Sequence, residues 1–446
     1  METGVDLQAP DSVRRLQTAL HAKAKGDPAF RFYTLSDKVW REDVLRAAWR
    51  AVRRNGGACG VDGETFEHIK EQGADRWLGR LARELRENTY RPRAVRQVLI
   101  PKKQPGKFRP LGMPCIRDRV AQTAAMLVLT PIFEADLQAE QYAYRGGRSA
   151  QDAVRHVHRL VNSGRQEIVD ADLSNYFGEI PHAELMRSIA RRASDGRVPG
   201  WIKRWLEMAV AEDDGKGGRR RTNRARRERK GTPQGAPISP LLSNICMRRF
   251  LLGWKLLGYA RRFGAEAVNY ADDFVVCGKA PAEAMLAAVE RIMEKLRLPL
   301  NATKTRCLRT PEEPFEFLGY RIGRNHSPRT GRACIGTRPS AASVRSACRK
   351  ISELTAARYG LLEPELVVER LNRAMLGWAN YFQLGQVSPA YRAVDAHAIK
   401  RLRQWLCRKH KARSGQYVRY PDAKLWDDRG LARLALRTAS HPWAKA

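Results

Sequence analysis

Two apolar, β-prone runs, Val268–Tyr270 and Phe274–Val276, enclose Ala271 and a pair of adjacent aspartates, Asp272 and Asp273, in the stretch "VNYADDFVV". A straight strand would turn Val268, Tyr270 and Asp272 to one face and Asn269, Ala271 and Asp273 to the other, leaving a carboxylate on each. Burying either without a partner is costly. A tight turn removes the conflict, so the segment is expected to be an antiparallel hairpin with both carboxylates at its tip. Such a hairpin needs a sheet around it, and its two charges need water or a cation. A lone Asp pair is usually a solvated turn, so the rest of the chain has to decide.

The charge balance narrows the partners. The 446 residues carry 82 Lys plus Arg against 47 Asp plus Glu, a net +35 with a pI near 10.5, which calls for a polyanion. A chain of this length is expected to form two or three packed units. "AAMLVLTPIF", Ala124 to Phe133, is too short to span a bilayer and contains Pro131. The first residues, "METGVDLQAP", lack the layout of a secretion signal. The eight cysteines include no C-x-x-C pair, which argues against a zinc site or a disulfide framework. The expectation is a cytoplasmic, nucleic-acid-facing protein without a membrane.

Periodicity supplies the organisation. "LSDKVWREDVLRAAWRAV" reads as a helix capped by Ser36 or Asp37, and the glycines of "NGGACGVDG" break the pattern. "AVRQVLIPKKQPGKFRPLGMP" reads as strand, turn, strand. Its turn gathers Lys102, Lys103, Lys107 and Arg109, which is either a phosphate gripper or a solvated charged loop. "QEIVDADLSNYF", Gln166 to Phe177, reads as a buried strand with Ile168, Asp170 and Asp172 on one face, a candidate second arm of a metal site. Gly215 to Lys230 has nine Lys or Arg against Glu228 and no apolar period, so a mobile basic loop is expected. "GTPQGAPISPLLSNI" leads into a helix after Ser239. Near the end, Leu366 or Val367, Leu371, Met375, Trp378 and Phe382 form one helical face, followed by a basic helical patch. The order suits an α+β fold with helices on one face of a sheet.

Transfer of a nucleotide to a growing strand requires divalent metals held by carboxylates, which Asp172 and the Asp272/Asp273 pair could supply. "GACGVDG", "LIPKKQPGKFRPLGMP", "QYAYRGGRSAQDAV", "VDADLSNYFGEIPH", "GTPQGAPISPLLSNI", "VNYADDFVV", "LPLNATKT", "FEFLGYRI" and "LGWANYF" occur in an order that resembles the reverse transcriptases encoded within bacterial group II introns. The resemblance runs from about Asn55 to Phe382. It implies a right-hand polymerase fold: a helical N-terminal extension (1–85), fingers and palm with an antiparallel sheet (86–335), a helical maturase thumb (336–390) and a basic C-terminal segment (391–446) open to DNA binding.

The resemblance also implies roles, residue by residue. Asp172, Asp272 and Asp273 match the catalytic metal-binding carboxylates for two Mg2+ ions, with Mn2+ as a substitute, and Asp170 is a structural neighbour. Phe177 matches a gate against the ribose 2′-hydroxyl. Arg109 and Lys102 or Lys103 match groups holding the deoxynucleoside triphosphate; Gln234 and Gly235 match a loop beside the nascent base pair. Lys304 is either a proton donor to pyrophosphate or a solvated lysine. Phe317, Leu318, Gly319 and Tyr320 resemble the segment gripping the primer, and Arg219, Arg220 and Arg221 are expected to contact nucleic acid. The implied partners are intron RNA, an RNA template with a DNA or RNA primer, and target DNA.

Two departures accompany the resemblance. Many members continue into a nuclease with paired cysteines, which is not expected here, and Ala236, Pro237 and Gly178 replace residues common at their positions. The activity implied is RNA-directed DNA synthesis with assistance to intron splicing. The alternatives are a host-adopted reverse transcriptase acting in repair or phage defence, and a splicing-only RNA-binding protein.

Overall fold

The computed structural model describes residues 10–101, 106, 108–213, 219–326, 331–412 and 414–440. The N-terminal part is helical, as expected: Asp11–Gly26, Ser36–Val39, Glu42–Asn55, Phe66–Glu71 and Ala74–Arg86. The helix expected from Ser36 onward is broken at Trp40–Arg41. The Arg41 backbone is extended (φ −56°, ψ 141°), and its guanidinium binds Asp43 at 3.0 and 2.7 Å in the first turn of the next helix. Asp195 accepts from the amides of Leu35 and Ser36 at 2.8 Å each, so a distant carboxylate caps the first piece.

The basic hairpin forms as expected, with β1 (Val95–Pro101) antiparallel to β2 (Phe108–Met113) and Ile100 opposite Arg109. The central sheet includes β3 (Glu167–Asp172). Two further strands, β4 (Val210–Asp213) and β5 (Arg219–Thr222), extend the hairpin into a sheet of order β2-β1-β4-β5. The basic segment from Gly215 to Lys230 is therefore not a loop throughout. Arg220 lies opposite Glu212 and Arg221 opposite Ala211, and Arg224–Glu228 is a short helix with an ion pair between its ends at 2.8 Å. Backbone pairing on a sheet edge needs no apolar period, which is why periodicity missed it. Residues 214–218 lie outside the described residues.

The hairpin opposite β3 consists of β6 (Glu266–Tyr270) and β7 (Asp273–Gly278); with β8 (Arg306–Arg309) the order is β6-β7-β3-β8, antiparallel throughout. Helices cover both faces of this sheet, not one. Val169, Ala171, Phe274 and Val276 join a core with helices Ile116–Glu134, Ser239–Leu256 and Ala282–Leu296. Ile168, Val268, Val275 and Cys277 join another with helix Ala150–Asn162. The continuous apolar run Phe274–Cys277 has a partner on each side, the pattern of a strand buried on both faces.

A third sheet, of order β11-β10-β9, links this palm to the last helices through β9 (Phe315–Phe317), β10 (Tyr320–His326) and β11 (Ala333–Pro339). Helices Ala341–Leu354, Pro364–Tyr381 and Ser388–Lys409 follow, with Val367, Leu371 and Met375 buried as the spacing predicts. Leu366 is exposed instead. The expected boundaries after 335 and 390 both fall inside elements, β11 and the Ser388–Lys409 helix. One apolar cluster runs from Ile351 to Leu434, so the basic segment packs with the thumb helices through those residues.

Candidate active site

The paired registers bring the aspartates together. Asp172, last in β3, lies directly opposite Asp273, first in β7. Asp272 occupies the two-residue turn between paired Tyr270 and Asp273. Ala271 has φ 59° while Asp272 does not share the positive φ, a type II′ pattern with alanine at the position glycine prefers. Asn269 holds this strained turn, since its Nδ2 donates to the Ala271 carbonyl at 2.9 Å and to that of Asp273 at 3.4 Å. Sequence reasoning gave Asn269 no role, although a polar residue inside an apolar strand was the available signal.

Asp172 is oriented from the other side. Its carbonyl accepts from the Asn301 amide at 2.8 Å, and its Oδ2 accepts from Asn301 Nδ2 at 3.1 Å and Lys304 Nζ at 2.9 Å. Lys304 is thus an ion-pair partner of Asp172, and that bond first, then the surrounding carboxylates, holds its pKa above the ordinary lysine value. Asp170 meets Arg306 at 3.4 Å; burial pushes its carboxyl up to about 6 against the pull of that guanidinium.

Asp273 is exposed on the chain surface, yet acidic side chains stand around it. Withdrawal from bulk water, then the charges of Asp272, Asp172 and Asp170, push its carboxyl up to about 7, with Lys304 opposing. Among the described residues, no three His, Cys, Asp or Glu side chains form a ready-made metal cage. The donor set nevertheless fits a hard divalent cation. Carboxylates come from two strands and a turn, and like charges accumulate there with Lys304 opposing them.

The other expected residues lie on several different elements. Phe177 follows β3 in the short helix Tyr176–Glu179, half-buried, and its carbonyl accepts from Thr232 at 2.7 Å, which ties it to the "TPQG" loop. The Gln234 carbonyl accepts from the Gly112 amide of β2 at 2.6 Å, while its buried side-chain oxygen has no hydrogen-bond partner among the described residues. Gly235 has φ 108°, and a Cβ there would lie 2.5 Å from the Gly112 carbonyl oxygen. Only glycine fits where this loop crosses β2. Arg109 is exposed on β2, whereas Lys102, Lys103 and Lys107 lie outside the described residues.

Leu318 and Gly319, with φ 50° and 80°, form the turn between paired Phe317 and Tyr320, a type I′ pattern. The Gly319 carbonyl accepts from Ser340 N and Ser343 Oγ at 2.9 Å each, while Tyr381 donates to the Leu318 carbonyl at 3.1 Å. Tyr381, on the "GWANYF" helix, is pushed up to about 12 by burial, then by Tyr270 and Asp273, so the thumb reaches the aspartates' surroundings. Arg220 and Arg221 sit on β5 in the hairpin's sheet, apart from the aspartate sheet; Arg219 begins that strand.

Comparison with known proteins finds two families along the chain. Residues 100–322 match the family described as "Reverse transcriptase (RNA-dependent DNA polymerase)", and residues 344–421 match "Group II intron, maturase-specific domain". The chain is 32% identical to Protein YkfC of Escherichia coli over 352 residues, covering 71% of this chain and 89% of that protein. It is 28% identical to the group II intron-encoded protein LtrA of Lactococcus lactis over 230 residues, 50% of this chain and 36% of LtrA. The chain belongs to the reverse transcriptase family. Within it, the polymerase followed by a maturase-specific domain is that of a group II intron-encoded reverse transcriptase and maturase. No helix among the described residues is long and apolar enough to cross a membrane.

Proposed function

We propose that the cleft at the head of β3 and β7 is the polymerase centre, in which Asp172, Asp272 and Asp273 hold Mg2+ and an RNA template directs addition of deoxynucleotides to a primer. The observation that carries this reading is the register, with Asp172 facing Asp273 and Asp272 in the adjoining turn. In the reaction the primer 3′-hydroxyl loses its proton to water as its oxygen bonds to the α-phosphorus, the bond from that phosphorus to the bridging oxygen breaks, and pyrophosphate leaves. Magnesium, when bound, supplies charge stabilisation for the attacking and leaving oxygens.

The chain's own residues supply the rest. Arg109 of β2 grips the triphosphate together with Lys102, which follows β1 in the sequence, and Phe177 closes the space a ribose 2′-hydroxyl would need. Gln234, whose buried side-chain oxygen has no partner among the described residues, borders the nascent pair beside Gly235. Lys304 is held protonated by Asp172, which suits it better to neutralising pyrophosphate than to surrendering a proton. The turn Phe317–Tyr320 meets the primer near the thumb, and Arg219 to Arg221 meet nucleic acid from the edge of the other sheet.

The second half of the reading is binding of intron RNA by the basic N-terminal and thumb surfaces, with target DNA as a further partner. The net +35 supports it, since neutralising phosphates and releasing counterions drives such binding. The test is extension of a DNA primer on an RNA template with Mg2+, offered deoxynucleotides or ribonucleotides, beside a splicing assay on intron RNA. Template-dependent DNA products and faster splicing are expected. A folded, RNA-binding protein that makes no DNA would leave only the splicing half standing.

A further inference from the structure

The segment Glu140–Tyr144 is bolted to the aspartate hairpin. Gln141 forms a parallel bridge with Asn269, with Asn269 N donating to Glu140 O at 2.9 Å and Tyr142 N to Asn269 O at 3.0 Å. The two chains run in the same direction from that bridge. Three residues beyond Asn269 is Asp272, and three residues beyond Gln141 is Tyr144.

The segment is also clamped from behind and beyond. Gln141 Nε2 donates to the Asn244 carbonyl at 3.0 Å, and Asn244 Nδ2 donates to the Ala143 carbonyl at 2.8 Å. Arg145 binds Glu134 through Nε at 2.9 Å and the carbonyls of Gln138 and Gln141 through one terminal nitrogen at 2.7 Å each. Between these anchors Tyr144 has φ 59°, a left-handed conformation that is an outlier for a bulky residue. Strain held in place by so many neighbours is a mark of a functional position.

We propose that Tyr144 is a further substrate-contacting residue, its phenol lining the incoming-nucleotide side of the cleft between Asp272 and Arg109. This rests on the polymerase reading above and adds a residue to it. The phenol is half-buried and kept neutral at working pH. Burial first, then Asp272, Tyr270 and Asp273, oppose its ionisation, while Arg109 favours it. The bridge between Gln141 and Asn269 carries Tyr144 alongside the palm hairpin, and in the proposal its phenol faces the nucleotide. Tyr381, which feels Asp273 and Tyr270 and bonds the Leu318 carbonyl, stands on the primer's side. The neutral hydroxyl is a hydrogen-bond donor suited to an oxygen of the nucleotide's sugar or phosphate.

The test compares wild type, Tyr144→Phe and Tyr144→Ala in single-nucleotide addition and in nucleotide binding to a primer–template whose primer ends in a dideoxynucleotide. The phenylalanine variant keeps the ring and the fold, and its KM for the deoxynucleotide is expected to rise about three- to ten-fold with kcat nearly unchanged. The alanine variant should lose more, and affinity for primer–template alone should stay the same in both. Nucleotide affinity equal to wild type in both variants overturns the assignment. So does a loss confined to primer–template affinity or to thermal stability. The binding arm needs no chemistry, so a wild type that binds nucleotide without extending the primer would count against the polymerase reading alone.

Discussion

Asp172 and Asp273 face each other across neighbouring antiparallel strands, and Asp272 adjoins them in a two-residue turn. Two backbone registers and the tight turn that one of them closes thus set the carboxylate geometry. Asn301 and Lys304 fix one side of it, and Asn269 fixes the other.

The first prediction concerns the charge stored there. Asp273 has a carboxyl raised to about 7, so its share of folding stability is fully present below its unfolded pKa near 3.8 and is lost as pH rises through 7. Asp273→Asn should therefore stabilise the metal-free protein at pH 8 by on the order of 1 kcal/mol, after discounting for its exposure to solvent. Adding Mg2+ should raise the wild-type melting temperature and raise the variant's much less. Thermal melts at both pH extremes, with and without Mg2+, check this.

Asp118 gives a pH dependence away from the site. It is fully buried, accepting from Tyr90 Oη at 2.7 Å and Arg93 N at 3.0 Å, and burial pushes its carboxyl up to about 6. The sign is again that of a raised carboxylate, with stability present below the unfolded value and lost as pH rises through about 6. Through this group alone the protein should gain about 1 kcal/mol between pH 7 and pH 5. Urea denaturation should show that increment in wild type and not in Asp118→Asn.

Gly235→Ala should separate local strain from chemistry. The new methyl would meet the Gly112 carbonyl, and the residue would have to hold φ 108°. A loss of about 1–3 kcal/mol of stability is expected, with the docking of the "TPQG" loop on β2 disturbed. Replacing Ala236, its buried neighbour, by glycine should cost about 1 kcal/mol or less. Chemical denaturation of the two variants distinguishes these outcomes.

The basic strand should act through salt. Replacing Arg219, Arg220 and Arg221 by glutamine should flatten the slope of log K against log salt for RNA by roughly 0.7–0.9 for each phosphate no longer neutralised. A filter-binding titration from low to high salt measures it, and an unchanged slope would exclude β5 from the RNA-binding surface.

Much of this site was legible because its chemistry breaks local rules. Two aspartates in an apolar run demand a turn, and glycine in "TPQG" and "FLGY" marks backbone that other residues adopt poorly. What periodicity could not reveal was pairing that depends on backbone alone. Arg219–Thr222 carries no apolar alternation, yet it completes a sheet beside β4. The helices on the second face of the palm were missed for a related reason. Phe274–Cys277 is apolar at every position, but a short apolar run does not say which distant helix will cover each side. Asn269, Asn301 and Tyr144 act through neighbours that only the fold brings near.

The most direct measurement is primer extension on an RNA template by wild type and Asp272→Ala, after matched circular dichroism and RNA-binding affinity have shown both to be folded. The account predicts DNA synthesis by wild type and a loss of several orders of magnitude in the variant, with RNA affinity retained. Equal synthesis by the two proteins would contradict the assignment of the aspartate hairpin as the polymerase centre.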